Sequence, residues 1–172
     1  MPETTATRCR CICPNGCDCG CTCPAAIELR AEQNARRAAN GGPIRIQRRR
    51  TFGWRAPAEA KYVGRGTRWG NPWAVVQTPQ GWAASWTEGA RQPTPPAEKR
   101  WVAADTRYAA HEAAVYRYAE WIADQPKMLA VIRAELAGRD VMCWCLRELP
   151  CHGDVLIATA AGEDPRPATP AP

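Results

Sequence analysis

The chain has 172 residues and a formal net charge of +6, from 23 Lys and Arg against 17 Asp and Glu. This length suits one domain of ordinary size with a hydrophobic core. No run approaches the roughly 18 apolar residues of a membrane-spanning helix, and the opening residues MPETT lack the apolar stretch of a secretory signal. We therefore expect a cytoplasmic protein without a membrane partner, whose ten cysteines are thiols or metal ligands rather than disulfides.

Residues 1–24 form a cysteine-rich segment, with seven cysteines in fifteen positions, mostly as Cys-x-Cys. Neighbouring thiolates at this spacing bind the same or adjacent soft ions, of which Zn(II) and Cu(I) are the natural candidates. The segment lacks the spacer of an ordinary zinc ribbon, and its density resembles a metallothionein-type cluster. We predict metal binding here; a cysteine tail dispensable for the main activity and disulfide pairing are the alternatives. The predicted ligands are Cys9, Cys11, Cys13, Cys17, Cys19, Cys21 and Cys23.

Residues 25–42 are rich in Ala, Glu, Gln and Arg and end at Asn-Gly-Gly-Pro, which predicts a helical linker. The domain that follows spans residues 43–162. Residues 77–100 are rich in Pro, Gly and Thr and form either a hairpin around Gly81 or a mobile excursion. The composition of residues 163–172 predicts a disordered tail.

Within the domain, alternation and 3.6-residue periodicity predict short strands and helices. Strands are predicted at 44–47, 62–63, 73–76 and 141–145, and helices over 105–123, from Pro126 to a C-cap at Gly138, and over 153–161. A helix, a strand, a loop and a final helix close the domain. This order predicts an α/β fold, a small two-layer or three-layer Rossmann-like domain. Its short, mostly parallel sheet would unite the early strands with the late one.

The positive charge is concentrated near the start of the domain. Ten arginines and five acidic residues fall within residues 1–60, which therefore carry +5 of the net charge, and the excess peaks at residues 48–50. The planar guanidinium of arginine can donate two parallel hydrogen bonds to one phosphate group. This cluster predicts contact with phosphate on a nucleotide or a nucleic acid; a solvated charge run is the alternative.

A glycine-interrupted loop with two arginines follows the second predicted strand, in the sequence YVGRGTRWGNPW over residues 62–73. Its glycines permit close approach of a ligand, and backbone N–H groups together with Arg65 and Arg68 can cradle an anion. The spacing fits neither the P-loop nor the Rossmann fingerprint. The alternative is a tight turn braced by Trp69 and Trp73.

Three thiols and an imidazole lie within ten residues near the end of the domain. Cys143 and Cys145 share one face of the predicted strand, and Cys151 and His152 begin the last predicted helix. By residue type this is a Cys3His zinc set. A ligand-binding or catalytic site, a structural zinc site, and buried core thiols with a helix-capping His or Asp remain open. The only other histidine, His111, is predicted to be exposed.

The order of these motifs resembles domain-of-unknown-function family 4326, small proteins of actinobacteria and their phages. The motifs are IQRRRT, GWR, YVGR, WGNP, CWC and CHGDVL, at residues 46–51, 53–55, 62–65, 69–72, 143–145 and 151–156. The resemblance covers residues 44–162 and implies a compact α/β domain of phage or bacterial origin, with no established activity. The cysteine segment falls outside it, and residues 77–100 are longer than the loop expected there.

We predict that the arginine-rich strand end, the glycine–arginine loop and the Cys-His helix start meet at one edge of the sheet. The resulting pocket would bind a nucleotide-like ligand or a nucleic-acid end, with Trp69 or Trp54 as a stacking face. The predicted ligand-binding residues are Arg48, Arg50, Gly64, Arg65, Gly66, Arg68, Trp69, Asn71 and Cys145.

Whether the domain is an enzyme is left open by the sequence. If it is, fold analogy favours nucleotide or nucleoside group transfer, with Cys151 as nucleophile and His152 or Asp154 as acid/base. The alternative is a non-enzymatic, zinc-stabilised adaptor that binds nucleic acid or a host protein. A third hypothesis is a protein with neither ligand nor metal.

Overall fold

The computed structural model describes residues 41–87 and 93–166, with a few positions between 31 and 39. The predicted cysteine segment, most of the predicted linker and residues 167–172 lie outside the described residues. The strands are β1 (Arg45–Gln47), β2 (Lys61–Tyr62), β3 (Trp73–Thr78), β4 (Gly81–Trp86), β5 (Trp101–Ala104) and β6 (Val141–Cys143). The helices are α1 (Arg107–Ala123), α2 (Pro126–Leu136) and α3 (His152–Ala160), and a 3-10 turn over Ala97–Lys99 precedes β5.

A parallel sheet has the strand order β1-β6-β2. Ile46 of β1 lies opposite Met142 of the central strand, and both are buried in a small cluster with Ile44. The buried carboxylate of Asp140 accepts a hydrogen bond from the Ile44 N–H at 3.1 Å and so ties the starts of β1 and β6 together. Because the three strands are parallel, their carboxyl ends lie at one edge of the sheet.

A second, antiparallel sheet contains β3, β4 and β5. Thr78 pairs with Gly81 across a two-residue turn, so the start of the 77–100 region is a hairpin rather than an excursion. Gly81 has a φ of +134°, which favours glycine. The prediction that the strand at 73–76 joins the late strand in one sheet is therefore wrong, because a short turn pairs it with its neighbour in sequence. The mixed α/β class is confirmed, but the Rossmann-like layering is not.

Helix α1 packs against all three antiparallel strands and against α3, and so connects the two sheets. Thr106 caps it, so the helix begins two residues after the predicted position 105, and the Thr106 side chain accepts a hydrogen bond from the Ala109 N–H at 3.1 Å. The core beneath it is aromatic: Trp73 and Trp86 meet edge-to-face with ring centroids 4.7 Å apart. Over the residues that the structure describes, none of the helices is both long and apolar enough to cross a membrane.

Candidate ligand cavity and thiol cluster

A cavity of about 530 Å³ opens at the carboxyl edge of the parallel sheet and extends to β3 and β4. This volume falls within the range of small-molecule binding sites. Its cationic side chains are Arg65, after β2, and Arg107, at the start of α1. No acidic side chain lines it in the described part of the chain, so its field favours an anion. The other lining residues are Asn71, Trp73, Val75, Trp82, His111, Ala114, Val115, Cys143, Trp144, Cys145, Leu146, Pro150, Cys151 and His152.

Three thiols meet at one wall of this cavity. Cys143 ends β6, Cys145 follows two residues later, and Cys151 is the N-cap of α3. Their sulfur atoms all lie within 4.8 Å of one another, and the Sγ atoms of Cys143 and Cys145 are 3.6 Å apart. The strand ends at Cys143, two residues earlier than predicted. A bend at Trp144, rather than strand alternation, therefore places Cys145 beside Cys143. The three thiols could hold a metal ion.

The three cysteines of the cluster differ in the direction of their pKa shifts. Hydrogen bonding with Cys145 and Cys151 holds the pKa of Cys143 well below its usual range. The same bond to Cys143 raises the pKa of Cys145 to about 11. Hydrogen bonds to both partners, together with burial, also raise the pKa of Cys151. The lowered pKa of Cys143 favours its thiolate form beside the thiols of Cys145 and Cys151, and a soft cation would replace the remaining protons.

His152, predicted as an acid/base, is buried to 5% exposure behind Cys151. Its Nε2 lies 2.9 Å from the carbonyl oxygen of Val63, and its Nδ1 lies 3.8 Å from the Sγ of Cys151. Because a carbonyl only accepts, the Nε2–H of His152 donates to Val63, and Nδ1 faces the Cys151 sulfur. The ring of Tyr118 packs edge-on against the imidazole at 5.3 Å. These contacts make His152 a positioning residue for Cys151.

Arg45 clamps the loop that carries Cys145 to the start of α3. Its guanidinium donates hydrogen bonds to the carbonyl oxygens of Leu146, Arg147 and Leu149 at 3.0–3.2 Å. Its Nε donates to both carboxylate oxygens of Asp154 at 3.0 and 3.1 Å. Asp154, predicted as a catalytic acid/base, is thus paired with Arg45 and does not line the cavity.

The glycine–arginine loop sends one of its two arginines to the cavity. Arg65 lines it, whereas Arg68 pairs with Glu135 of α2 and lies 4.5 Å over the ring of Trp69. Trp69 is only 1% exposed, and the hydroxyl of Tyr118 donates a 2.8 Å hydrogen bond to its carbonyl. The indole of Trp69 therefore belongs to the core and offers no face for stacking.

The glycines and Asn71 set the shape of this loop. A Cβ at Gly64 would collide with the ring of Tyr62, and Gly66 has a φ of +88°. The Asn71 amide donates to the carbonyl of Ala114 at 2.9 Å and accepts from the Trp73 N–H at 2.8 Å. These contacts brace the loop against α1 and β3, and of the three residues only Asn71 borders the cavity.

Arg48 and Arg50 lie in a neighbouring depression with Trp54 and Tyr62. The Arg48 guanidinium lies 4.9 Å from the ring centres of both Tyr62 and Trp144. Trp144 borders both depressions and separates them. The structure thus brings Arg65, Cys145, Cys151 and His152 together and places the predicted Arg48 and Arg50 apart from them.

Two cavity residues, Arg107 and His111, were missed by sequence reasoning. His111 is half-buried rather than exposed; burial lowers its pKa, against the effect of its hydrogen bond to the carbonyl of Pro150. The signal was present, because positions 107, 111, 115 and 118 follow helical spacing and share a face with the buried Tyr118.

The family model described as domain of unknown function (DUF4326) matches residues 46–162. The chain belongs to this family. No curated protein and no solved structure matches it. Every residue that lines the cavity falls inside the DUF4326 match, whereas the cysteine segment over 1–24 falls outside it. Membership carries no activity, so the function must be argued from the cavity.

Proposed function

We propose that this DUF4326 domain binds a phosphate-bearing, nucleotide-like ligand in the cavity beside the thiol cluster. The observation that carries the proposal is the pair Arg65 and Arg107, which come from distant parts of the chain to line one cavity of about 530 Å³. Guanidinium groups match phosphate oxygens in geometry and charge.

The remaining lining suits the rest of a nucleotide. Trp82 and Trp144 border the same cavity, and Trp144 is 37% exposed, so indole side chains are available to pack against a base. The thiolate of Cys143 and the imidazole of His111 supply polar chemistry nearby. We therefore propose nucleotide or nucleoside group transfer, in the cytoplasm, as the first activity to assay.

Thermal unfolding with a panel of nucleoside mono-, di- and triphosphates tests this proposal. A ligand at 100 times its Kd stabilises the protein by about 2.7 kcal/mol, which raises Tm measurably. Arg65→Ala should reduce the shift in Tm, while the matched variant Arg49→Ala, in the neighbouring depression, should retain it. No shift with any nucleotide, or a shift lost in Arg49→Ala but kept in Arg65→Ala, would reject this cavity as the ligand site.

The second candidate is a zinc-stabilised adaptor for nucleic acid, favoured by the three sulfurs within 4.8 Å. Zinc held by thiolates would then act on stability alone. The neighbouring depression, with Arg48, Arg49 and Arg50, would be its binding surface. The adaptor predicts that a chelator lowers Tm, that no nucleotide raises it, and that single-stranded oligonucleotide binding is lost in Arg48→Ala.

A further inference from the structure

We infer that Cys143, Cys145 and Cys151 bind one zinc ion through three thiolates and leave its fourth coordination position open to the cavity. The inference deepens the proposed function, because a ligand in the cavity would then contact the ion. A thiolate binds zinc at about 2.3 Å, so tetrahedral coordination places sulfurs about 3.8 Å apart. The observed 3.6 Å between the Cys143 and Cys145 sulfurs lies close to this spacing and far from the roughly 2.05 Å of a disulfide, and the Cys151 sulfur lies within 4.8 Å of both.

The three sulfurs are held by rigid neighbours. Cys143 and Cys151 are buried in the main core, at the end of a central strand and at a helix N-cap. The Gly153 N–H donates to the Sγ of Cys151 at 3.4 Å. Cys145 lies on the loop that Arg45 clamps through backbone carbonyls. Such second-layer contacts orient ligands before a metal arrives, which lowers the cost of binding.

The protein offers no fourth ligand in this arrangement, as far as the described residues go. The close group of metal-binding atoms consists of the three sulfurs. His152 is held with Nε2 on the Val63 carbonyl and Nδ1 towards the Cys151 sulfur, and among the described residues no nitrogen of His111 or His152 belongs to the close group. With no carboxylate in the cavity lining, the fourth position falls to water or to a ligand, as in catalytic zinc sites.

The charges around the cluster are consistent with this arrangement. Zinc with three thiolates carries a net charge of about −1, and the cations of Arg65 and Arg107 line the same cavity. An anionic oxygen of a phosphate-bearing ligand can therefore approach the ion without facing an uncompensated negative centre. Soft thiolates also select zinc or Cu(I) over the hard cations.

The test uses the full chain with its seven N-terminal cysteines replaced by serine, so that metal bound elsewhere does not obscure the count. After equilibration with zinc and dialysis, we expect about one zinc per chain. The cobalt(II)-loaded protein should show thiolate-to-cobalt absorption, and its d–d bands should change when azide is titrated. A folded chain that retains no metal overturns the inference, and so does a cobalt spectrum that azide leaves unchanged.

Cys145→Ser in the same background removes a ligand that is only half-buried, so the fold should survive. We expect zinc affinity to fall by at least about 100-fold, more than the loss of an outer contact causes. Unchanged affinity in this variant overturns the three-thiolate site. The cobalt spectrum of His111→Ala should still change on addition of azide, because azide at an open metal position does not need that side chain. Loss of the change in this variant would also overturn the open position. If azide changes the cobalt spectrum but no nucleotide shifts Tm, the open metal site is supported and the nucleotide proposal fails.

Discussion

Arg45→Met tests whether one buried guanidinium holds the loop between β6 and α3 in place. The Arg45 side chain is 9% exposed and donates to four loop carbonyls, that of Cys145 at 3.5 Å included, besides its pair with Asp154. Methionine keeps an apolar stem of similar length against Gly153, so packing changes little while the polar contacts vanish. The loop should loosen without collapse of the core.

The size of the effect follows from these contacts. A hydrogen bond to a charged group contributes about 1.5–3 kcal/mol net, but these share one guanidinium and freed loop carbonyls regain water. The pair with Asp154, whose side chain is 54% exposed, adds about 0–1 kcal/mol. We expect the free energy of unfolding to fall by about 1.5–3 kcal/mol, the net contribution of a hydrogen bond to a charged group, because the loop carbonyls regain water and the exposed ion pair adds little. Zinc affinity should fall about 10-fold or more, because the same loop carries Cys145.

Urea unfolding followed by tryptophan fluorescence measures this loss. Arg133→Met is the matched control, since Arg133 is exposed on α2 and its replacement should change stability by less than about 0.5 kcal/mol. Arg45→Lys keeps the charge but not the planar guanidinium with its five N–H donors. Its loss of stability should lie between those of Arg45→Met and Arg133→Met. A loss below about 1 kcal/mol in Arg45→Met would refute the argument that the guanidinium stabilises this loop.

Three further outcomes follow, each measured by the same urea unfolding. Asp154→Asn should cost at most about 1 kcal/mol, because the carboxylate is half-exposed; a loss equal to that of Arg45→Met would mean the ion pair holds the loop. Tyr118→Phe leaves the buried Trp69 carbonyl without its donor and should cost about 1–3 kcal/mol, and no loss would contradict this. Burial holds the pKa of His111 below its usual value, so the unfolded chain binds the proton first as pH falls below about 6.5. The free energy of unfolding should therefore fall from about pH 7 to 5, and it should fall less steeply in His111→Gln. Parallel pH profiles for the two proteins would refute this role of His111.

Local patterns predicted most of the helices and the strands of the parallel sheet. The stripe from Val115 to Ile122 and the proline at the start of α2 located both long helices to within two residues. The family prediction from the motifs is confirmed over residues 46–162. The three thiols could be grouped from the sequence because they lie within ten residues, a spacing that one strand end and one helix start keep together.

The tertiary structure decided what these elements meet. The alternation of apolar and polar residues predicts which side chains of a strand face inward. It does not predict which strand lies beside it, because the backbone offers the same hydrogen bonds to every neighbouring strand. The sequence therefore could not place β3 with β4 and β5 rather than with β6. Nor could it show that Arg45 clamps carbonyls about one hundred residues away, or that Arg107 and His111 border the cavity beside Cys143. Such contacts join segments remote in the chain, and only packing of the whole core fixes their distances.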